Sequence, residues 1–198
     1  MELRRRDLDE DPLRQFAAWF AEAWAAGVRV PEAVALATAT REGAPSLRMV
    51  LVKRFDERGF VFHTNYDSRK GRELAANPRA ALLFHWDVLG RQVRIEGTVR
   101  RTSRSESEAY FRTRPYGGRV GAWASPQSRP IFGREELEAA VAEIEVRLAD
   151  EVPLPPHWGG YVVRPRVYEF WQHRDDRLHD RFRYRRGRGG WTIERLAP

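Results

Sequence analysis

Apolar residues recur along this chain at two different spacings, and each spacing predicts a different kind of element. Near the N-terminus, bulky apolar residues occur at the three- and four-residue intervals of one helix face, namely Phe16, Trp19, Phe20 and Trp24. Gly27 follows as a typical helix end, so we predict a helix over Asp11–Gly27. Three further helices are predicted over Asp67–Pro78, Ser103–Arg114 and Gly133–Glu151. Ser103 and Glu106 have the spacing of a capping box.

Shorter segments rich in branched and aromatic residues, separated by turn-forming residues, predict β-strands. The predicted strands are Ala33–Thr40, Ser46–Phe55, Phe60–Asn65, Arg79–Trp86, Arg91–Thr102, Gly159–Trp171, His179–Arg186 and Gly190–Pro198. Strands that follow one another like hairpins, with helices inserted, predict a mainly β protein of the α+β class, an antiparallel barrel with peripheral helices. The chain has no internal repeat, and proline-rich Glu151–Gly160 is interpreted as a connection, so we expect a single domain over residues 1–198.

Composition limits the class of protein. The 198 residues are 42% apolar, which is typical of a packed globular fold. The absence of cysteine excludes disulfides, zinc–thiolate sites, iron–sulfur clusters and a cysteine nucleophile. The five histidines show no metal-binding spacing, so no metal is expected. No apolar run approaches the ~18 residues that span a bilayer, and MELRRRDLDEDP lacks the apolar stretch of a secretory signal, so a cytoplasmic protein is expected.

The charge of the chain predicts an anionic ligand. The formal net charge is +7, and almost all of the basic residues are arginines, which form forked contacts with phosphates and carboxylates. Nucleic acid, an anionic surface and small phosphorylated ligands all fit this charge. A Rossmann-type dinucleotide site is not expected, because the chain has neither a βαβ rhythm nor a G-x-G-x-x-G motif.

The segment TNYDSRKGRELAANP combines a helix start with two cations. Asp67 or Ser68 is expected to cap the helix, and Arg69 and Lys70 fall in its first turn. Free backbone N–H groups together with cations at a helix start make an anion site, typically for phosphate. A solvated basic turn is the alternative interpretation.

Two predicted strands carry polar residues whose role the sequence leaves open. In LRMVLVKR, the odd spacing of Arg48 and Lys53 puts them on opposite faces of an ideal strand, so either the strand bends or the two residues face different surfaces. Charges that discourage edge-to-edge association are the simpler explanation. In RQVRIEG, one face holds Gln92, Arg94 and Glu96, and this face meets either water or a ligand.

The segment WQHRDDRLHDRFRY, residues 171–184, is dense in charge. If residues 177–185 are extended, alternate side chains project to one side, namely Arg177, His179, Arg181, Arg183 and Arg185. The opposite side then holds Asp180, Phe182 and Tyr184. Such a basic row would bind an anion and place a titratable imidazole beside it. A solvated strand edge is the alternative interpretation.

Several motifs occur in an order that resembles the pyridoxamine 5'-phosphate oxidase family. They are RMVLVK, FHTNYDSRKGRELAANP, FHW with RQVRIEG, AYFRTRP, GAWASPQS, PPHWGGY, and EFWQ with RLHDRF. No single motif is decisive, but the ordered set extends from about Leu3 to Pro198. The resemblance argues against a nucleic-acid-binding protein, and it gives the positive charge a local meaning, because the cofactor and the substrate of the family are both phosphate esters.

The resemblance implies a fold, a reaction and an assembly. The fold is an FMN-binding split β-barrel, and the assembly is a homodimer with FMN in clefts at the subunit interface. The reaction is oxidation of pyridoxamine 5'-phosphate or pyridoxine 5'-phosphate to pyridoxal 5'-phosphate, with O2 reduced to H2O2. Neither nucleic acid nor a membrane is an implied partner.

The resemblance also implies roles for individual positions. FMN contacts are expected from Arg48, Met49, Val50, Leu51, Val52, Lys53, His63, Thr64, Arg69, Lys70, Gln92, Gln127, Ser128, Trp171 and Arg181. Substrate contacts are expected from Lys53, Tyr110, Arg114, Gly118, Arg177, Leu178 and His179. Arg177 and His179 match the positions at the substrate ring, and they are the expected catalytic residues.

Four features depart from the family pattern. His63 stands where tyrosine or phenylalanine is common, Gly118 where many members have a serine that helps to hold the substrate phosphate, and His173 where glycine is usual. The resemblance also starts at about LRRRDL, so the upstream segment that often covers the substrate is not expected. Substrate preference therefore stays open. The alternatives are a split-barrel flavin oxidase for another substrate, such as one of phenazine type, a flavin- or deazaflavin-binding protein without this activity, and a basic nucleic-acid-binding module.

Overall fold

The computed structural model describes residues 2–149 and 151–198. The α-helices of this part of the chain are α1 (Pro12–Ala25), α2 (Arg69–Ala76), α3 (Arg104–Arg112), α4 (Tyr116–Ala124) and α5 (Arg134–Leu148). The strands are β1 (Ala33–Ala39), β2 (Pro45–Asp56), β3 (Gly59–Asn65), β4 (Arg79–Trp86), β5 (Arg91–Arg101), β6 (Trp158–Gln172), β7 (Asp180–Gly187) and β8 (Gly190–Leu196). Short 3-10 helices cover Arg5–Asp7, Asp87–Leu89 and Asp175–Arg177.

The strands form one antiparallel sheet that closes on itself. Its eight strands have the order β3-β2-β1-β4-β5-β6-β7-β8, and the neighbouring pairs are antiparallel. Strand β3 also pairs with β6, from Phe60 opposite Val163 to Asn65 opposite Trp158. This pairing closes β1 to β6 into a barrel, and β7 and β8 extend from β6. The prediction of an antiparallel barrel with peripheral helices is confirmed.

Helix α1 contributes the centre of an aromatic core. Phe16 is fully buried, and its ring meets those of Phe55, Phe60 and Phe84 at centroid distances of 4.9, 4.8 and 4.9 Å with steep interplanar angles. Each edge-on aromatic pair adds about 0.5–1.5 kcal/mol to the gain from burial. Trp24, which the sequence pattern places on the same helix face, is instead 66% exposed, so the buried stripe of α1 ends before it.

Helices α3, α4 and α5 lie between β5 and β6 in the chain and have a small core of their own. The fully buried members of this core are Phe111, Val120, Ile144, Val152, Leu154 and Trp158. The predicted capping box begins α3: Glu106 N donates to Ser103 Oγ at 3.1 Å, and Ser103 N donates to Glu106 Oε2 at 3.2 Å. Residues 102–157 therefore form a separately packed helical insertion in the barrel.

Two helix predictions differ from the structure. Helix α4 is not predicted, because its sequence YGGRVGAWA contains three glycines, which disfavour helix formation. Val120 is buried in the core that α3, α4 and α5 share, and this packing outweighs the low helix propensity of the glycines. The predicted helix Gly133–Glu151 ends at Leu148 as α5, and Asp150 lies outside the described residues. Across residues 2–149 and 151–198, every helix is too short or too polar to span a bilayer.

The predicted row of alternating basic side chains is wrong at its start. Strand β7 begins only at Asp180, and Arg177 ends a 3-10 turn with φ of 61°, after Asp176 with φ of 57°. Two consecutive residues in the left-handed region cannot continue an extended strand. The alternation holds within β7 itself, where Asp180, Phe182 and Tyr184 are buried.

Strand β2 is irregular near Lys53. Val52 lies opposite Phe62, whereas Arg54 lies opposite Val61, so the register with β3 shifts between Val52 and Arg54. A shift of this kind adds one residue to a strand and interrupts the period-two alternation of its side chains. The spacing of Arg48 and Lys53 predicts either a bent strand or side chains that face different surfaces. The register shift shows that the strand is irregular at Lys53.

Candidate active site

A cavity of about 840 Å³ lies between the barrel and the helical insertion. Its walls come from β2, β3, the first turn of α2, α3, α4, the loop after α4 and the start of β6. The predicted site residues that line it are Arg48, Met49, Val50, Leu51, Lys53, His63, Thr64, Arg69, Lys70, Tyr110, Arg114, Gly118, Gln127 and Ser128. The side chain of Val52 is buried in the barrel core instead. The volume is typical of small-molecule sites, which measure about 300–1,000 Å³.

Lys70 occupies an enclosed polar corner of this cavity. The side chain is buried, and its Nζ donates hydrogen bonds to Thr64 Oγ1 at 3.1 Å, Ser68 Oγ at 3.2 Å and Gln127 Oε1 at 3.0 Å. Ser68 also caps α2 by accepting a hydrogen bond from Gly71 N. Burial lowers the pKa of Lys70 to about 8, and the charge of Arg48 acts in the same direction. The ammonium group is held by neutral oxygens, so an anionic ligand would relieve its desolvation.

Glu73 ties two arginines to the same corner. Arg69 Nε donates to Glu73 Oε1 at 2.9 Å, and Arg48 Nη2 lies 3.4 Å from Glu73 Oε2. The hydroxyl groups of Thr38 and Ser46 also donate to Oε2. Burial alone raises the pKa of Glu73, but hydrogen bonds from Ser46, Thr38 and Arg69 and the charge of Arg48 outweigh it and lower the pKa to about 2. The carboxylate is therefore ionised at any physiological pH.

A second polar group lies around Tyr110 and Arg114. The rings of His63 and Tyr110 are nearly parallel at a centroid distance of 3.9 Å, and the Arg114 guanidinium lies 4.8 Å from the centroid of the Trp158 ring. Within the described part of the chain, Arg114 Nη1 is buried without a hydrogen-bond partner. A buried donor left unpaired costs about 1–3 kcal/mol. A ligand with acceptor oxygens, such as a phosphate ester, suits this group.

His63 is neutral in this surrounding. Burial lowers its pKa to about 4, and the positive charges of Arg114, Arg54 and Lys53 add to the effect. At neutral pH the positive charge of the second group therefore comes from Arg114 and from Lys53, whose Nζ lies 3.6 Å from Glu32 Oε1. His63 contributes a flat uncharged ring.

The remaining predicted residues form a separate cluster on β5, β6 and β7. Gln92 lies opposite Trp171, and Trp171 lies opposite Arg181, so these three side chains form one row across the sheet. The ring of His179 is 4.5 Å from that of Trp171. Arg181 Nε donates to Glu169 Oε1 at 2.8 Å, which fixes its guanidinium.

The loop before β7 carries the rest of this cluster. Arg177 and Leu178 are exposed, and His179 Nδ1 accepts a hydrogen bond from Arg174 N at 3.2 Å. In a neutral imidazole, that bond leaves the proton on Nε2. Within one subunit, the cavity lining does not include Gln92, Trp171, Arg177, Leu178, His179 or Arg181. The structure thus brings the predicted site residues together as two groups rather than one.

An exposed apolar row runs along the rim of the cavity on β2. Leu47, Met49 and Leu51 alternate along the strand and are 68%, 64% and 42% exposed. Large exposed apolar side chains that cluster together mark interaction surfaces. This row therefore indicates that another surface covers the rim.

The sequence does not predict every residue that shapes the site, and Glu73 and Trp158 are examples. Glu73 follows Arg69 by four residues, a spacing that signals an ion pair on one helix face, but its burial against β1 and β2 depends on tertiary contacts. Trp158 belongs to the motif PPHWGGY, and it lines the cavity beside His63 at a ring distance of 5.3 Å. Its place beside the cavity follows from the pairing of β3 with β6.

Known structures share this fold. PhzG from Burkholderia lata, solved in complex with tetrahydrophenazine-1-carboxylic acid, superimposes with a TM-score of 0.93 at 37% identity and covers 100% of this chain and 98% of that one. A pyridoxamine 5'-phosphate oxidase-related, FMN-binding protein from Nostoc punctiforme superimposes with a TM-score of 0.75 at 18% identity, covering 95% and 98% of the two chains. The second likeness concerns the fold alone.

Sequence relatives are closer. A protein of Rubrobacter xylanophilus named pyridoxine/pyridoxamine 5'-phosphate oxidase is 60% identical over 191 residues, which is 96% of this chain and 88% of that protein. A protein of Salinibacter ruber with the same name is 55% identical over 100% of this chain and 94% of its own length. Residues 20–147 match the family described as pyridoxamine 5'-phosphate oxidase, and residues 158–198 match its C-terminal dimerisation region. Fold, cavity and sequence agree, and the chain belongs to the pyridoxamine 5'-phosphate oxidase family.

Proposed function

We propose that this protein is a homodimeric, FMN-dependent oxidase that converts pyridoxamine 5'-phosphate or pyridoxine 5'-phosphate to pyridoxal 5'-phosphate. The substrate loses two electrons and two protons, one hydrogen from the reacting carbon and one proton from its hydroxyl or amino group, and O2 takes them up as H2O2. For the amine substrate, water supplies the aldehyde oxygen and ammonia leaves. Family membership and the names of relatives that are 55–60% identical over nearly the whole chain support this reaction.

The observation that carries the proposal is the presence of two cationic groups in one cavity. Arg48 and Arg69 pair with Glu73, and Lys70 lines the cavity beside them. Lys53 and Arg114 lie near His63 and Tyr110. Each group suits one phosphate monoester, since charge-assisted hydrogen bonds to phosphate are among the strongest in proteins. The proposed reaction needs two such esters in the cavity at the same time, one on the cofactor and one on the substrate.

The first group would hold the cofactor. FMN, when bound, supplies the two-electron redox chemistry. Arg48, Arg69 and Lys70 would hold its phosphate, with hydrogen bonds from the side chains of Thr64, Gln127 and Ser128. The β2 segment from Met49 to Lys53 would pass along the rest of the cofactor.

The second group would hold the substrate phosphate through Lys53, Tyr110 and Arg114, next to Gly118. The unpaired Nη1 of Arg114 supports this assignment, because a phosphate oxygen would supply the acceptor that it lacks. Gly118 contributes no hydroxyl group, so we expect a looser hold on the phosphate than a serine at this position would give.

A second subunit would complete the site. Gln92, Trp171 and Arg181 would contact FMN across the subunit interface, and Arg177, Leu178 and His179 would face the substrate ring. The exposed row on β2 and the match of residues 158–198 to a dimerisation region support this arrangement. With Nδ1 occupied by the Arg174 N–H, His179 would donate from Nε2, and Arg177 would orient the ring with its planar guanidinium. The protein's contribution is orientation, which is worth large factors in rate.

Cofactor analysis and one assay test the proposal. Purified protein should be yellow, should release FMN rather than FAD or a deazaflavin on denaturation, and should form pyridoxal 5'-phosphate and H2O2 in equal amounts. Pyridoxine without its phosphate is the matched control, and it should react much more slowly. A tetrahydrophenazine carboxylic acid is the comparison substrate, because the PhzG structure holds such a compound. Flavin binding with turnover of that compound, and none of the vitamin B6 phosphates, would contradict the proposal.

A further inference from the structure

Glu73 is buried behind the wall of the cavity and does not line it. Its carboxylate nevertheless contacts three elements of the fold. Arg69 on α2 donates to Oε1, while Ser46 and Arg48 on β2 and Thr38 on β1 lie against Oε2. A buried carboxylate with this many donors is costly to assemble unless all of them are in place. Glu73 therefore couples the first turn of α2 to the barrel at one point.

The contacts of Glu73 determine how the guanidinium groups of Arg48 and Arg69 are oriented. Its bond to Arg69 engages Nε at 2.9 Å, which leaves the terminal Nη1 and Nη2 groups of Arg69 for another acceptor. Arg48 is fixed from several sides: Nη1 donates to Leu36 O at 3.2 Å and to Thr38 Oγ1 at 2.5 Å, and Nη2 faces Ser46 and Glu73. Both arginines line the cavity beside Lys70.

We propose that Glu73 is a positioning residue for the flavin phosphate. It holds Arg48 and Arg69 so that they converge with Lys70 on one anion, and in this way it gives the protein its preference for FMN over riboflavin. The inference deepens the proposed function and rests on its assignment of this corner to the cofactor phosphate.

The charges of the corner agree with this role. Arg48, Arg69 and Lys70 contribute three positive charges, and Glu73 contributes one negative charge, so the net charge is +2. A phosphate monoester carries a charge of about −1.5 to −2 at pH 7. Glu73 thus both orients the cations and adjusts their total charge to that of the ligand.

The substitution Glu73→Gln distinguishes the effect of arginine orientation on FMN binding from the effect of the net charge of the corner. The glutamine has nearly the same shape, but its Nε2 group is a donor, and it would face the N–H of Arg69 or Arg48 where the carboxylate now accepts. Removing one negative charge would by itself strengthen anion binding, because the net charge rises to +3. Loss of orientation would weaken it. The sign of the change in FMN affinity therefore identifies the dominant effect.

The experiment measures dissociation constants of FMN and riboflavin for the full-length protein after removal of its flavin, by quenching of flavin fluorescence. For Glu73→Gln we expect FMN binding to weaken by about tenfold or more, as for the loss of one charge-assisted contact, and riboflavin binding to change by less than about twofold. Glu73→Asp keeps the charge and should recover part of the FMN preference. Arg72→Ala is the matched control, since Arg72 lies on the same helix and donates to Asp67 O outside the cavity.

Three results would overturn the inference. FMN affinity that is unchanged or higher in Glu73→Gln would mean that charge, not orientation, is what matters. Equal weakening of FMN and riboflavin would mean a general structural role. If wild-type protein bound FMN no better than riboflavin, the phosphate assignment would fail and the inference with it. A protein that shows the expected FMN and riboflavin pattern but forms no pyridoxal 5'-phosphate would contradict the proposed reaction alone. If Glu73→Gln does not fold, Thr38→Val, which removes one donor to the carboxylate, is measured by the same criteria.

Discussion

Lys70 and Gln127 are 57 residues apart in the chain, yet Lys70 Nζ donates a hydrogen bond to Gln127 Oε1 at 3.0 Å. One residue lies in the first turn of α2 and the other in the loop after α4. Their contact joins the barrel side of the cavity to the helical insertion. It also places a buried ammonium group where the proposed cofactor phosphate would bind.

Replacing Lys70 by methionine should reduce FMN affinity more than it reduces stability. Methionine fills the buried volume but removes a charge-assisted contact, which contributes about 1.5–3 kcal/mol, or roughly tenfold to 150-fold in the dissociation constant. The measurements are flavin content after purification and the dissociation constant of FMN. Arg72→Ala is the control and should keep its flavin. A folded Lys70→Met protein with wild-type flavin content would remove Lys70 from the site.

The pH dependence of FMN binding should reflect the loss of the positive charge of Lys70. Burial lowers the pKa of Lys70 to about 8 in the flavin-free protein, so its positive charge is lost as the pH rises through that value. We expect FMN affinity to fall between about pH 8 and pH 10 in the wild type, and to fall less in Lys70→Met.

The free energy of unfolding of the flavin-free protein should instead increase with pH over the same range. Over this window the unfolded chain binds a proton at Lys70 that the folded chain has released, so stability rises with pH. Equal pH profiles for wild type and variant would contradict this account.

A charge on the exposed β2 row should separate the subunits and release the flavin. In Leu47→Glu, dimer formation would bury an unpaired carboxylate, which costs several kcal/mol. Light scattering should show a monomer, and the protein should be colourless. Val146→Glu is the matched control, because Val146 on α5 is 86% exposed and lies away from the cavity. A Leu47→Glu monomer that keeps one FMN per chain would show that the site does not need two subunits.

Arg177→Lys should affect turnover and leave flavin content unchanged. Lysine keeps the positive charge but loses the planar fork that would orient the substrate ring, and small misplacements cost about 100-fold in rate. We expect yellow protein with a large decrease in kcat/KM for pyridoxine 5'-phosphate. Arg183→Lys is the control, since Arg183 pairs with Glu194 on β8. Normal turnover by Arg177→Lys would mean that the loop before β7 has another purpose.

Gly118→Ser should lower the KM for pyridoxamine 5'-phosphate with little change in kcat. The backbone at Gly118 is not in the left-handed region, and the atom nearest to a Cβ there would be Arg114 Nη2 at 3.5 Å, an ordinary van der Waals distance. A serine is therefore accommodated, and its hydroxyl group would add a hydrogen bond in ground and transition states alike. Gly117→Ser, with open space around its Cβ position, is the matched control. A KM that rises in Gly118→Ser would mean that the phosphate is held elsewhere.

The strands were predictable because their signals are local. Alternation and turn residues give all eight strands to within two residues of their observed ends. Helix α4 was not predictable in this way, since its glycines favour other structure and Val120 gains its stability only from a core made by distant segments. The left-handed backbone at Asp176 and Arg177 has no glycine or asparagine to signal it.

Many residues that line the cavity could be named from the sequence, but their arrangement could be predicted only in part. The order of motifs identifies Lys70 and Gln127, but their contact depends on how the insertion folds back on α2. Glu73 has a spacing that fits an ordinary surface ion pair, and only its burial reveals its role. The division of the predicted residues into a cavity and a separate row follows from strand order, which no single motif encodes.

The insertion between β5 and β6 has a consequence for how proteins of this kind change over evolutionary time. The two strands pair directly, from Arg101 opposite Tyr161 to Arg91 opposite Gln172, so the backbone hydrogen bonds that join them do not run through residues 102–157. The insertion packs mostly around its own core, which meets the barrel through Trp158 of β6, so substitutions away from that contact leave the strand pairing in place. The proposed substrate contacts Tyr110, Arg114 and Gly118 belong to the insertion, whereas the cations proposed for the flavin phosphate belong to β2 and α2. A lineage with this architecture can therefore alter part of its hold on the oxidisable compound by changing one inserted segment, provided that the segment keeps Gln127, which bonds to Lys70 beside the proposed flavin phosphate.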